Sequence, residues 1–229
     1  MPMCSQRRAS WAVCSVCNDS LANKPVSPVF PVHPYQVSWR WLRWCCRFRC
    51  RQGYGIHSPF AFSFVTGVVY ESGTYYAYPS VDRACSAARR GGQTSMRLKD
   101  GRLLFRLANF GRPHRAMTYG IGEDSAEMEC MRAGSCHTDY VGFSAGGGEE
   151  ADWVFAAADW PVQGTRLLAP LRRGGMLVLR DIGSTAVRRA AWRELLRMPQ
   201  AQVSFDLYDW GIIFFRPELQ RQHYVINYL

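Results

Sequence analysis

The chain has 229 residues, 48% of them apolar, which is enough to enclose one substantial core and close to the usual upper size of a single-core domain. Its formal charge of +10 is uneven: residues 1–53 carry Arg7, Arg8, Lys24, Arg40, Arg43, Arg47, Arg49 and Arg51 against Asp19 alone, a net +7 that leaves only +3 for the rest. No run approaches the roughly 18 to 20 apolar residues of a transmembrane helix, which argues against an integral membrane protein.

Residues 1–24 lack periodicity and read as a disordered extension. Arg7 and Arg8 precede only a short apolar stretch, too little for an export signal, so the nine cysteines read as reduced thiols and the setting as cytoplasmic. Cys14-x-x-Cys17 has metal-ligand spacing but no second pair at the usual distance, and no metal is expected. Residues 25–34, PVSPVFPVHP, place proline at every third position, the period of polyproline II, and extend the linker to residue 36.

From Val37 the pattern becomes helical. Trp41, Trp44, Cys45 and Phe48 share one face, and Arg40, Arg43, Arg47 and Arg51 form a stripe at three- and four-residue steps. The expected packing puts the tryptophans on the domain and the arginines in solvent; a nucleic acid or an anionic surface is the partner such a stripe would meet. Gly53 and Gly55 end this helix. Ser58 before Pro59 predicts an N-cap and a first-turn proline for a helix over 60–69. An irregular stretch around Tyr75, Tyr76 and Tyr78 follows, then an amphipathic helix over 101–110.

The remainder alternates. Strands are predicted at 115–119, 137–143, 152–157, 175–180, 202–208 and 211–216, with a final β-like run at 223–228, and helices at about 123–132, 163–171 and 185–197. This is an α/β pattern with a mostly parallel sheet and a closing antiparallel hairpin near Asp209-Trp210. The organisation expected is an extension over 1–36, a helical cap region over 37–110 and a Rossmann-like domain over 111–229.

The order of GIHSPFAF, GRLLFRLANFGRPHRAMTYGIGEDS, ADWVFAAADW, LAPLRRGGMLVLRDI and VSFDLYDWGIIFFRPELQRQHYVINY resembles a bacterial group of class I S-adenosylmethionine-dependent methyltransferases of the O-methyltransferase-like type. The resemblance runs from about Val37 to Leu229. It implies a Rossmann-like methyltransferase sheet, S-adenosylmethionine as cofactor and methyl transfer to an unidentified acceptor, a small molecule or another. The family's first strand ends in an acid-x-Gly-x-x-x-Gly-like turn. Here the acid position is Thr118, Gly120 keeps the first glycine, Gly122 stands nearby and Asp124 occupies the second glycine position, so these four are the implied cofactor residues.

The resemblance implies two catalytic acids. The fourth strand's terminal aspartate corresponds to Ala157, with Asp159 two residues on, and the acid pair after the fifth strand becomes Arg180-Asp181. Arginine beside a divalent cation is unfavourable, which argues against metal-dependent chemistry. Gly120 and Asp152 are only 32 positions apart, room for about one βα repeat of roughly 30 residues, so the sheet is expected to lack its third strand. The link over 144–151 is short for its path, and the placement of strand 137–143 is left open. The alternative is a catalytically inactive protein of the same fold that binds through its basic tryptophan helix.

Overall fold

The computed structural model describes residues 41–51, 53–143 and 150–228. The N-terminal extension, the proline-rich run, the Cys14-x-x-Cys17 pair and most of the 144–151 link lie outside the described residues. Helical residues 41–46 (α1) are followed by α2 (Pro59–Phe64), a π-turn (Val65–Val69), α3 (Tyr78–Arg90) and α4 (Leu98–Gly111). Then come β1 (Arg115–Tyr119), α5 (Ala126–Gly134), β2 (Asp139–Gly142), β3 (Ala151–Ala156) and α6 (Trp160–Gln163). A 3-10 turn (Gly164–Leu168), β4 (Leu171–Arg180), α7 (Ala186–Arg197), β5 (Val203–Asp206), β6 (Trp210–Phe214) and β7 (Gln222–Val225) complete the chain.

The strands form one seven-stranded sheet in the order β2-β1-β3-β4-β6-β5-β7. Strands β2, β1, β3 and β4 are mutually parallel, β6 runs antiparallel to both β4 and β5, and β7 lies parallel to β5. This is the Rossmann-like sheet with a closing antiparallel hairpin that the sequence predicts. Strand 137–143, whose position was open, is β2: it pairs with β1 and forms the sheet edge, and among the described residues no further strand intervenes before β3. The sheet is therefore one repeat short on that side.

Strand residues alternate between two cores, as a pleated sheet covered on both faces requires. Ala116, Trp153, Phe155, Val178, Ile212 and Phe214 face a core shared with α2 to α5, whereas Met117, Val154, Ala156, Leu177, Leu179 and Ile213 face Trp160, Leu167, Trp192 and Leu195. Phe64 of α2 packs on Phe205 and Phe214 at centroid distances of 4.7 and 5.1 Å. The predicted cap at Ser58 is present, its hydroxyl accepting from the Ala61 backbone nitrogen.

Three expectations change. The tyrosine-rich stretch runs into a full helix, α3, whose buried stripe of Tyr78, Val81, Cys85 and Ala88 has helical spacing but is mostly small. Small residues suffice because Gly101 of α4 has no side chain between Cys85 and Cys130, leaving the two sulfurs 3.7 Å apart. The helix predicted at 163–171 breaks at Gly164 (φ 51°), so β4 begins at Leu171 rather than 175.

The third change inverts α1. Arg47 forms a two-pronged ion pair with Asp206 (2.9 and 3.2 Å), and Arg43 and Arg47 lie 5.1 and 5.5 Å over the Tyr208 ring. The Asn227 side-chain nitrogen donates to the Trp44 carbonyl, fixing α1 to the end of the chain. Arg43 and Arg47 dock on the protein while Trp41 and Phe48 stay exposed and Trp44 is half-buried, because Asp206 offers a carboxylate and Tyr208 a ring face to the two guanidinium groups.

Buried Arg106 on α4 reaches across to the end of the π-turn, donating to the carbonyls of Val68 (2.6 Å) and Val69 (3.1 Å) and to the Tyr78 hydroxyl (3.0 Å). Replacing Arg106 by methionine keeps much of the volume and orphans these acceptors; urea unfolding should show a loss of about 3 kcal/mol, at the upper end for buried unsatisfied groups. A second expectation concerns His223 on β7, bonded to the Ser204 hydroxyl at 2.8 Å. Burial holds its pKa below the ordinary imidazole value, with Asp206 opposing and Arg47 assisting. Below about pH 6.5 the unfolded chain therefore binds the proton more readily, so stability is complete above that pH and declines as pH falls. The decline should flatten in His223→Gln.

Candidate functional site

Three parallel strands, β1, β3 and β4, end side by side, and each turns away through a left-handed residue: Gly120 (φ 73°), Asp159 (φ 45°) and Asp181 (φ 57°). The chain leaves β1 for β2 on one side and returns to β3 on the other, so the sheet order switches at this point. Loops after such strands part in opposite directions, and ligands of open α/β sheets occupy the crevice between them. A cleft of about 340 Å³ lies there, lined by the Gly120–Gly122 turn, Ser125 and Glu127 at the start of α5, Thr94, Ala157, Arg180, Asp181 and Arg188.

Its floor is a buried ion pair. Arg180, at the end of β4, binds the Glu127 carboxylate on α5 through a short charged hydrogen bond, and the two side chains are only 10% and 7% exposed. The guanidinium also donates to Ser95 (2.9 Å) and Thr94 (3.3 Å), and Thr94 donates to Glu127 (2.8 Å). Arg188 on α7 bridges the carbonyls of Ala157 (3.2 Å) and Arg180 (3.1 Å), and the Trp160 indole nitrogen donates to the same Arg180 carbonyl (2.9 Å). The ends of β3, β4 and α5 are thereby tied across the cleft.

Asp181 is placed differently. Its carboxylate is 38% exposed, lies 3.7 Å from the Arg180 guanidinium and accepts no hydrogen bond among the described residues. Burial holds its pKa above the ordinary carboxylate value, against the pull of Arg180 and Arg188. Asp181, Arg180 and Ser95 also line a neighbouring hollow of about 220 Å³, together with Arg97, Asp100, Asp209 and Trp210. Arg97 pairs with both Asp100 (2.7 Å) and Asp209 (2.8 Å). Asp181 thus stands on the rim between two hollows.

Of the residues singled out in the sequence, Gly120, Gly122 and Asp181 come together in the cleft. A Cβ on Gly120 would lie 2.6 Å from the Ala158 backbone nitrogen, whereas one on Gly122 would meet nothing within 4 Å. Thr118 is buried in β1, its hydroxyl donating to the Val141 carbonyl at 3.3 Å. Asp124 and Asp159 are exposed on the two loops and do not line the cleft. Asp152, at the start of β3, accepts from the backbone nitrogens of His114 and Arg115 at the opposite end of the sheet. Among the described residues no cluster of His, Cys, Asp and Glu could hold a metal ion.

Sequence reasoning missed Glu127, Thr94 and Arg188. Glu127 reads as an ordinary first-turn acid of α5; only its pairing with Arg180, 53 positions away, marks it, and one sequence carries no trace of that pairing.

No protein-family model matches the chain, and no curated protein matches it. Solved structures do, at low identity. A Podospora anserina methyltransferase, PaMTH1, bound to SAH is 9% identical over 68% of this chain and 95% of its own, with a TM-score of 0.48. A Bacillus cereus O-methyltransferase in complex with SAH is 10% identical over 65% and 94%, TM-score 0.45. The Streptomyces achromogenes O-methyltransferase TomG, involved in tomaymycin synthesis and solved with SAM, is 16% identical over 63% and 91%, TM-score 0.40.

The ion pair is testable without any ligand. Glu127→Ala leaves the Arg180 charge buried and should cost about 3 to 5 kcal/mol in urea unfolding, whereas the double variant Glu127→Leu with Arg180→Met should recover most of that loss. A double variant as unstable as the single one would show that the pair does not carry this junction.

Proposed function

We propose that the cleft holds S-adenosylmethionine and that the protein transfers a methyl group to a small-molecule acceptor seated at Asp181. The observation that carries this reading is the two-glycine turn after β1, opening into a crevice at the switch point of the sheet with acids and an arginine on its walls. The residues fit the chemistry of the group. Its amino-acid end is a zwitterion and its sulfonium is cationic; Glu127 and Asp181 oppose the positive centres, and Arg188 opposes the carboxylate. The bound group would supply a methyl carbon activated by the sulfonium.

The chain's own residues have defined parts. Gly120 and Gly122 keep side chains out of the turn, so the ligand can approach the backbone. Thr118 holds β1 to β2 beneath that turn, and Asp124 gives it an acidic outer edge. Asp181, between the two hollows, receives the acceptor's proton, and its raised pKa makes it a better base than an ordinary aspartate. Asp159, on the next loop, adds negative charge at the mouth. Catalysis rests mainly on holding acceptor and donor in line, which requires no metal. The free thiols, such as Cys85 and Cys130, suit a reducing cytoplasmic setting.

A second reading has one specific observation in its favour. Glu127 already receives bonds from Arg180 and Thr94, and the Thr118 hydroxyl is engaged by Val141, so the cleft is largely satisfied without a ligand. In that reading the fold is kept as a binding scaffold and transfers no methyl group.

Calorimetric titration separates the two. Binding of S-adenosylmethionine and S-adenosylhomocysteine with dissociation constants in roughly the micromolar range is expected. Gly122→Val, whose new side chain enters open cleft space without disturbing the backbone, should weaken it by about tenfold or more with an unchanged thermal midpoint. Absence of heat at millimolar ligand rejects the methyltransferase reading.

A further inference from the structure

The inverted helix leaves an unusual surface. With Arg43 and Arg47 turned onto Asp206 and Tyr208, the outward side of α1 and the turn after it carry Trp41 (65% exposed), Phe48 (53%) and Tyr54 (80%). Trp44 and Phe48 meet edge to face at 5.3 Å, and Arg51 lies 5.6 and 5.5 Å over their rings. Phe48, Arg49, Arg51 and Tyr54 line an open groove of about 570 Å³. Large aromatic side chains at such exposure on one short segment mark an interaction site, since their burial is otherwise the main gain of folding.

We propose that this face docks the protein on an anionic lipid bilayer, with Trp41, Phe48 and Tyr54 entering the headgroup layer and Arg49 and Arg51 meeting lipid phosphates. The composition favours this occupant. Aromatic rings with a polar or polarisable edge settle at the membrane–water interface, and arginine can keep its stem in the apolar layer while its head pairs with phosphate. Arg49 and Arg51 on this face add electrostatic attraction to a negative surface. A second copy of the chain is disfavoured, because a two-fold contact would bring the Arg49 and Arg51 clusters together. A nucleic-acid strand is disfavoured as well: two of the arginines that would track its backbone, Arg43 and Arg47, are docked on the protein, so the stripe is broken, whereas exposed Trp41, Phe48 and Tyr54 suit an apolar layer. The proposed attachment is peripheral, through side chains of this face; among the described residues no helix is long and apolar enough to cross a membrane. The anchoring of α1 through Asn227 and Asp206 makes the surface part of the folded body.

Vesicle co-sedimentation of the full chain tests the proposal, using phosphatidylcholine vesicles with and without phosphatidylglycerol at physiological salt. The expected result is binding to the anionic vesicles only, with a blue shift of tryptophan fluorescence. Trp41→Ala with Phe48→Ala, and separately Arg49→Glu with Arg51→Glu, should each reduce binding by about tenfold or more, because both apolar and charged contributions are needed. Unchanged circular dichroism and thermal midpoints in both variants would show that folding is intact. The proposal is overturned by equal binding to neutral vesicles, by no vesicle binding, or by binding that survives the loss of the two aromatics. Capture of single-stranded RNA, or dimerisation through this face, without vesicle binding would overturn it equally.

Discussion

The structure depends on one buried contact between opposite charges, Arg180 at the end of β4 and Glu127 on α5. Neither charge could remain in that interior alone, since desolvating an unpaired ion costs several kcal/mol. The pair therefore fixes where α5 begins relative to β4, and with it the path of the Gly120–Gly122 turn that leads into α5. Arg188 and Trp160 extend the constraint by meeting the Arg180 carbonyl from the other face of the sheet. A cleft that would otherwise be an opening between divergent loops becomes a walled crevice with a polar floor.

The same contact gives the arginine at position 180 its place in the structure. An arginine at position 180 repels a divalent cation, but it offers a partner to an acid on α5, and Glu127 takes that place. Thr118, where the resemblance implies an acid, turns its hydroxyl to Val141 and stabilises the edge strand β2. That edge has only one neighbour because the sheet is one repeat short, so a side-chain bond there replaces some of the support a further strand would give.

How much of this was legible in the sequence follows the physics of each signal. The central strands were found because their residues are buried on both faces and read as near-continuous apolar runs, as in DWVFAA and GMLVLR. The cap at Ser58 was read from the local grammar of helix starts; Ser125 and Thr185, which the structure also shows capping α5 and α7, were not. Helix α3 was missed because its buried stripe is small and owes its burial to Gly101 on another helix, a fact no local window contains. The orientation of α1 was misread for a related reason. Its two faces, aromatic and basic, are equally periodic, and only Asp206 and Tyr208, more than 150 residues away, decide which turns inward. Within the cleft, Gly120, Gly122 and Asp181 were singled out by the motif resemblance, while Glu127 and Arg188 matter only through long-range geometry.

Charge balance connects these observations. The cleft's ionised walls, Glu127 and Asp181 against Arg180 and Arg188, sum to zero, so the crevice has no net attraction for a simple anion or cation. What it can discriminate is the arrangement of charges within a ligand. With Arg180 held by Glu127 and Arg188 by two backbone carbonyls, the least constrained charge is Asp181, on the rim where the two hollows meet. A neutral cleft with one loosely held carboxylate is suited to a ligand that carries both signs and presents its positive part towards that rim. The chemistry of the site therefore turns on the environment of Asp181 more than on the motif that precedes it in the chain.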